Sequence, residues 1–408
     1  MKLLLKIAYF NLWRRKSRSI LVISMIAVSI VGLLLIQGIY QGMIQQMIDN
    51  GLRSDTGHIS IYHRDYRTSK SLQDQIVGSQ EILKFIQKQP EFKTAMTRIR
   101  HEGLIATAKH SQGAIFIGTN LEEENVHSNM ENYLKKGEFT FDKKSKGALI
   151  GSQLAKKLKV KVGKKIILTI QDKNKEINSI ALKVKGIVQV NNIELDKSGV
   201  FMDRKRLSEL LGLDSEVTQI SIFAKDRLMQ DTLLAKLKET YDKTHLKVYS
   251  WKELFPMFDM VENMQMTFFL ISYGLIFIIA AIGIFGVILV SVLERVREFG
   301  IMLAIGSSFR RVRWQIISES VLLGLFGLII GIIIGGSLLY YFTEVGIDLR
   351  AYSDAMAQFG MDAVIKAQFE FSYFYSSGIA VVLATFLAAL WPIRVLRKLN
   401  PIEAVNAN

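Results

Sequence analysis

Four apolar runs organise the chain, at Ile20–Tyr40, Thr267–Leu293, Ile316–Phe342 and Phe371–Trp391. Each holds about twenty residues or more, diluted mainly by Ser, Thr, Gln, Gly and Tyr. That is enough to cross a hydrocarbon core as a helix, the conformation that satisfies its own backbone hydrogen bonds there. The helical spacing continues past the first run. Ile39, Met43, Ile44, Met47, Ile48 and Leu52 recur at three- and four-residue intervals with Gln41, Gln45, Gln46 and Asp49 between them. This predicts a stalk ending near Asn50-Gly51. A second stalk is predicted over Trp251–Met266, where Leu254, Met257, Phe258, Val261 and Met264 share helical spacing and Pro256 suits a first turn.

Between the stalks the pattern changes. His58–His63 alternates apolar and polar positions as a half-buried strand does, and Lys164–Ile170, Ile180–Val190 and Gln219–Ala224 also read as strands. Helices are predicted at Ser79–Gln89 and Asp203–Leu211. The fold class is therefore a membrane α-helical protein with four transmembrane helices and an α+β extracytoplasmic domain inserted between helices 1 and 2. The predicted boundaries are a basic N-terminal helix at 1–19, spans at 20–42, 267–293, 316–342 and 371–391, and the domain with its stalks at 43–266. A link at 294–315, a loop at 343–370 holding a short helix or reentrant cap, and a tail at 392–408 complete the division.

Half the residues are hydrophobic and the formal net charge is +15, values that fit a few spans plus one large aqueous domain. Basic residues near the span ends set the orientation. Lys2, Lys6, Arg14, Arg15, Lys16 and Arg18 precede the first span, the central link carries Arg295, Arg297, Arg310, Arg311 and Arg313, and Arg394, Arg397 and Lys398 follow the fourth. The loop at 343–370 has only Arg350 and Lys366. Both termini and the link are thus expected in the cytoplasm and the domain outside the inner membrane. The N-terminal charges also suit a signal peptide, but the apolar core runs into Gln37–Tyr40 without an A-x-A site, so an uncleaved anchor is expected. The absence of cysteine excludes structural disulfides and thiol catalysis. Juxtamembrane basic clusters fit membrane lipids better than nucleic acid, which is not expected as a partner.

The chain has no G-x-x-x-x-G-K-[ST] phosphate loop and no H-E-x-x-H helix, and His58 and His63 fall on opposite faces of the predicted strand. No catalytic, cofactor-binding or metal residue is assigned. The link offers more. Glu294, Arg295, Arg297 and Glu298 place opposite charges over one turn, followed by the apolar Phe299, Ile301, Leu303 and Ile305 and punctuated by Gly300 and Gly306. Two readings stand side by side: an amphipathic helix docking in a groove of a cytosolic partner, or an interfacial helix binding lipid. In the third span Glu319 is expected to form a membrane-rim ion pair with Arg311 or Arg313 rather than to carry protons. Gly324, Gly327, Gly331 and Gly335 line one side of that span for close helix packing, within one subunit or across a dimer.

The segment REFGIMLAIGSS, followed by a basic stretch, ISES and a glycine-rich span, resembles the FtsX/MacB/LolC-E-type ABC transporter permeases. IAYFNLWRRKSRS before the first span and WPIRVLRKLNPIEAV at the end are similar to the family's terminal motifs. ALIGSQLAKKLKVKVGKKIILTI, KVKGIV and GVFMDRKRLSELLGL are similar to its periplasmic core domain. The stretch GLRSDTGHISIYH departs from LolC and LolE. The resemblance implies a non-catalytic permease subunit, paired with a second copy or a paralogue, working on a cytosolic ABC ATPase dimer that supplies ATP and Mg²⁺. Glu294, Arg295, Arg297, Glu298, Phe299, Gly300, Ile305 and Gly306 would form the coupling helix, and the stalks would relay its motion outward. Release of lipoprotein or another amphiphile is the leading implication, with a periplasmic carrier or adaptor as a further partner. Activation of a cell-wall hydrolase and drug or peptide efflux are the alternatives. An acyl-chain seam is expected between spans one and two, near Leu33, Ile36, Ile39, Phe268, Phe269 and Phe277.

Overall fold

The computed structural model describes residues 9–10, 12–13, 16–69, 71–142, 145–213 and 217–397. The basic helix expected at 1–19 lies largely outside the described residues, as does the tail from 398 onward. The chain divides into two compact units. One comprises residues 1–43, 261–347 and 365–408, the other residues 44–260 and 348–364.

The first unit is a helical bundle. Its long helices are α1 (Lys16–Gly51), α10 (Pro256–Glu294), α12 (Phe309–Glu344) and α14 (Phe371–Arg397), with the short α11 (Val296–Ala304) between α10 and α12. Four helices are long and apolar enough to cross a membrane. A helix of 36 residues such as α1 extends about 54 Å, well beyond the hydrocarbon core, so its polar end continues past the apolar run. Val22, Ile26, Ile30 and Leu34 of α1 pack with Ile288 and Val292 of α10, Ile316, Leu323 and Leu339 of α12 and Tyr373 and Ala388 of α14.

The second unit is α/β. In chain order it contains a π-helical turn (Leu52–Thr56), β1 (Ile59–His63), α2 (Tyr66–Ser69), α3 (Ser79–Gln87), β2 (Phe92–Ala106), β3 (Ser111–Thr119) and α4 (Leu121–Ser128). Next come β4 (Leu134–Gly137), β5 (Gly147–Gly151), α5 (Ser152–Leu158), β6 (Lys165–Gln171), β7 (Ile177–Val188), α6 (Ile193–Ser198) and β8 (Gly199–Asp203). It ends with α7 (Arg204–Leu211), β9 (Gln219–Ala224), α8 (Arg227–Tyr241), β10 (Leu246–Ser250) and α9 (Trp251–Leu254). The strands run β10-β1-β9-β2-β3-β8-β5-β7-β4, and β6 pairs with both β2 and β7. The run β2-β3-β8-β5-β7-β6 therefore closes on itself around Ile99, Ile105, Phe116, Ile150, Leu168, Leu182 and Val200. The open wing β10-β1-β9-β2 packs instead on α3 and α8 through Ile61, Ile86, Ile222, Leu233 and Val248. Fifteen-residue β2 belongs to both: its first half pairs with β9 and its second with β3 and β6.

One expectation needs correction. The second stalk is not one helix over Trp251–Met266. Ser250 closes a capping box with Glu253 to start α9, which ends at Leu254. Phe255 then adopts φ −124°, ψ 75° before α10 starts at Pro256. The proline ring disfavours helical backbone at the residue before it, so the break falls there. The loop at 343–370 holds a short helix, the first of its two expected forms, rather than a reentrant cap. It forms a two-stranded ribbon, β11 (Ile347–Asp348) with β12 (Val364–Ile365), around α13 (Ser353–Gln358), and residues 348–364 belong to the α/β unit. Asp362 fixes it there, accepting hydrogen bonds from Asn50 Nδ2 (3.3 Å), Tyr133 OH (3.1 Å) and Asn191 Nδ2.

Candidate functional site

The link between α10 and α12 is built around Arg295. Helix α10 ends at Glu294, and Arg295 leaves helical geometry at φ −108°, ψ 10°, so α11 starts in a new direction. Arg18 holds the end of α10 with a two-pronged contact to Glu294, Nη1 to Oε2 at 2.7 Å and Nη2 to Oε1 at 2.8 Å. Arg295 donates from Nε to Glu298 Oε2 (3.0 Å) and from Nη1 to Glu319 Oε2 (3.1 Å), and its guanidinium lies 5.0 Å from the Phe299 ring centroid. One arginine thus ties α11 to both its own first turn and α12.

The expected rim pair is corrected accordingly. Glu319 meets Arg295, whereas Arg311 and Arg313 are exposed. They precede Glu319 on the same helix by eight and six residues, and neither interval brings side chains together as three or four would. Phe299 also departs from the expected partner-facing side. It is 2% exposed in the bundle core, and Gly300 is buried beside it. The surface of α11 is left to Arg297, Glu298, Ile301 (47% exposed) and, just beyond its end, Ile305 (79% exposed). Gly306 then turns the chain at φ +92°, a conformation open to glycine at no steric cost.

The four glycines expected to pack, Gly324, Gly327, Gly331 and Gly335, are buried in α12 and face other helices of the same chain. A Cβ on Gly327 would lie 2.6 Å from Ile26 Cβ, and one on Gly331 would lie 2.8 Å from Ile30 Cβ, so α1 and α12 approach where side chains are missing. Gly335 faces Val31 and Leu34, and Gly324 faces Thr385 of α14.

The seam residues lie along α1 and α10. Leu33 and Phe277 line a cavity of about 20 Å³ with Tyr273 and Ala380. Tyr40 stacks on Phe268 with centroids 4.7 Å apart and meets Phe269 edge-on at 5.8 Å. Ile39 is half-buried against the bundle core, whereas Ile36, 45% exposed, points away from it. A polar clasp crosses the same region: Gln37 Nε2 donates to Tyr273 OH at 2.6 Å, and that hydroxyl lies 2.6 Å from Ser376 Oγ.

The α/β unit holds a buried charge cluster with no counterpart in the sequence reading. Asp55, in the π-helical turn that ends the first stalk, pairs with Arg100 Nη1 (Oδ2, 2.7 Å) and Arg98 Nη1 (Oδ1, 3.5 Å). Its backbone carbonyl accepts from Arg98, Gln219 and Ser221. Arg98, 1% exposed, forks onto the buried carboxylate of Glu124, which also accepts from Thr119 Oγ1 at 2.9 Å. Arg100 reaches on to Glu194 Oε2 at 2.8 Å. Burial pushes the Asp55 carboxyl upward, but Arg100, Arg98 and the hydrogen bonds outweigh it and hold the group below its ordinary range. Gly57 completes the anchor at φ +66°, with an added Cβ only 2.8 Å from the Ile222 carbonyl oxygen. The signal available in the sequence was the pair of arginines flanking Ile99 at strand spacing; their partners lie 26 to 94 residues away.

A four-span helical bundle joined to an α/β unit with a closed strand barrel is the architecture of a membrane-anchored domain protein. The MacB-like periplasmic core domain model matches residues 19–240 and the FtsX-like permease C-terminal model matches residues 270–401. The chain belongs to this family of ABC transporter permeases. It is 24% identical over 272 residues to the macrolide export ATP-binding/permease protein MacB of Pasteurella multocida, an alignment covering 65% of this chain and 37% of that protein. It is 27% identical over 301 residues to the lipoprotein-releasing system transmembrane protein LolC of Buchnera aphidicola, covering 70% of each. The periplasmic region of MacB from Actinobacillus actinomycetemcomitans aligns over 52% of this chain and 94% of that structure, with 15% identity and a TM-score of 0.35. The chain spans little more than a third, or less, of the length of the MacB relatives it matches.

Proposed function

We propose that this chain is the inner-membrane permease subunit of an ABC transporter whose ATPase is a separate chain. In this reading ATP-driven motion enters at α11 and is passed along α1 and α10 to an α/β unit outside the membrane. The observation that carries the proposal is the division of α11 into an anchored and a bare side. Phe299 and Arg295 fix it to the bundle, while Ile301 and Ile305 stand exposed. Apolar side chains beside the charges of Arg297 and Glu298 suit a groove on a protein partner, with the charges setting register. The buried cluster at Asp55 gives such motion a stiff point of delivery, because a satisfied buried network holds one arrangement.

The cargo proposed is lipoprotein or another amphiphile, received at the seam of Leu33 and Phe277 beside the Tyr40–Phe268 stack. Acyl burial there contributes about 0.8 kcal/mol per methylene. In this reading the molecule leaves the bilayer as the seam between α1 and α10 opens.

The test is copurification of ATPase activity with the detergent-solubilised chain, comparing wild type with Ile301→Asp/Ile305→Asp. Loss of the ATPase from the variant, with its melting temperature unchanged, is the expected result. Retention of the full ATPase yield by the variant would remove α11 as the docking element.

A further inference from the structure

We infer that the α/β unit carries a divalent-metal site, of the class that takes Zn²⁺, at the end of β1. Its donors are His63, Asp65 and Asp74. One donor atom from each residue falls within 4.8 Å of the others. Donors bound to zinc at about 2.0–2.2 Å sit some 3–4 Å apart, so small side-chain rotations close the set around an ion.

The backbone brings these residues together from separate places. His63 is the last residue of β1, Asp65 follows at the start of the chain's turn into α2, and Asp74 returns on the loop before α3. His63 Nδ1 lies 3.5 Å from Asp74 Oδ1 and accepts only a long, 3.4 Å contact from the Asp65 backbone N–H. Asp74 also accepts from Ser69 Oγ, which orients its carboxylate as an outer hydrogen bond orients a ligand. The ring of His245, just before β10, lies 5.6 Å from that of His63, adding a second imidazole beside the three donors.

The two carboxylates of the set favour a cation. The two nearest arginines in sequence are engaged elsewhere: Arg64 donates to the carbonyls of Asp242 and Thr244, and Arg67 lies over the rings of Tyr62 and Tyr249. Two carboxylates and an imidazole match a borderline cation better than calcium, which takes oxygen donors throughout. The ion would join the end of β1 to the loop that carries Asp74. The spacing of His63 from His58, read alone, concealed the site because its other donors come from the loop rather than the strand.

The experiment is a Zn²⁺ titration of the full chain in detergent after chelator treatment, read by competition with a chromogenic chelator and by melting temperature. One equivalent per chain is expected, with a rise in melting temperature. His63→Ala, Asp74→Asn and the exposed Asp65→Asn should each weaken binding by about tenfold or more. Each should also lose the zinc-dependent rise while keeping the metal-free melting temperature. His110→Ala, in the β2–β3 turn, should bind as wild type does. Absence of zinc binding in wild type, full affinity in His63→Ala, or equal loss in His110→Ala would each overturn the assignment.

Discussion

The two charge clusters of this protein are built from the same residue types but differ in what surrounds them. Around Arg295 the side chains of Glu298, Glu319, Arg18 and Glu294 are 47%, 17%, 28% and 37% exposed. Around Asp55 the side chains of Arg98 and Glu124 are 1% and 0% exposed. In high dielectric an ion pair adds little, because water already solvates both partners. In a dry interior each partner depends on the other, and removing one leaves an uncompensated charge. The cluster around Arg295 can therefore exchange partners cheaply, as the docking role proposed for α11 would require. The buried cluster resists rearrangement, which suits the place where a stalk enters its domain.

The largest expected effect follows from breaking the buried cluster on one side. Asp55→Asn leaves Arg98 and Arg100 short of a counter-charge, and Arg98→Met leaves Glu124 buried and unpaired by its arginine. Each should cost about 3–5 kcal/mol. The readout is hydrogen exchange of the β2 amides in the full chain, whose opening free energy should fall by that amount. Replacing Arg98 and Glu124 together, by Met and Leu, should cost clearly less than Arg98→Met alone. An equal or larger cost for the double variant would mean that shape, not charge compensation, holds the cluster.

Acid offers a milder way to break the same cluster. Asp55 has a folded-state value held below 3.8, its ordinary one, so the unfolded chain binds the proton more readily. Its contribution to stability is fully present above about pH 4 and is lost as pH falls through the lowered folded value. Wild-type β2 protection should therefore decline with acid in that window, and Asp55→Asn should show a shallower decline. Parallel curves would show that the acid sensitivity arises from other carboxylates.

The same contrast explains what was legible in the sequence. The four spans stood out because their apolar runs are interrupted almost wholly by uncharged residues, Glu319 in the third being the exception. Strand β1 was legible from alternation, β6, β7 and β9 from the Gly163, Gln171–Asn174 and charged boundaries around them, and Pro256 was correctly placed at a helix start. Strand β2 was not legible: Lys93, Arg98, Arg100, His101 and Glu102 make it read as surface, because the partners that neutralise its arginines come from Asp55, Glu124 and Glu194. At the link, the residues were legible but their directions were not. Phe299 and Ile301 are equally apolar in sequence, and only the position of α11 against α12 decides that one is core and the other surface. Glu319 was recognised as needing a partner, but that partner, Arg295, lies at the far end of the link, between α10 and α11.

The smallest effect is expected at Arg18 and Glu294, and it tests the exposed half of the comparison. Their contact is short and two-pronged, the geometry in which an arginine–carboxylate pair is strongest. Both side chains are nevertheless about a third exposed, so water competes for every lone pair and proton. A double-mutant cycle of Arg18→Ala and Glu294→Ala, read by thermal unfolding of the full chain in detergent, should give a coupling energy of about 0–1 kcal/mol. The charge swap Arg18→Glu with Glu294→Arg should restore whatever each single reversal loses. A coupling above about 2 kcal/mol would mean that the pair is desolvated in the folded protein, since only a low dielectric makes one contact count so heavily. The rim would then be as rigid as the Asp55 cluster, and α11 would have to move as one body with α1 and α10 rather than rearrange against them.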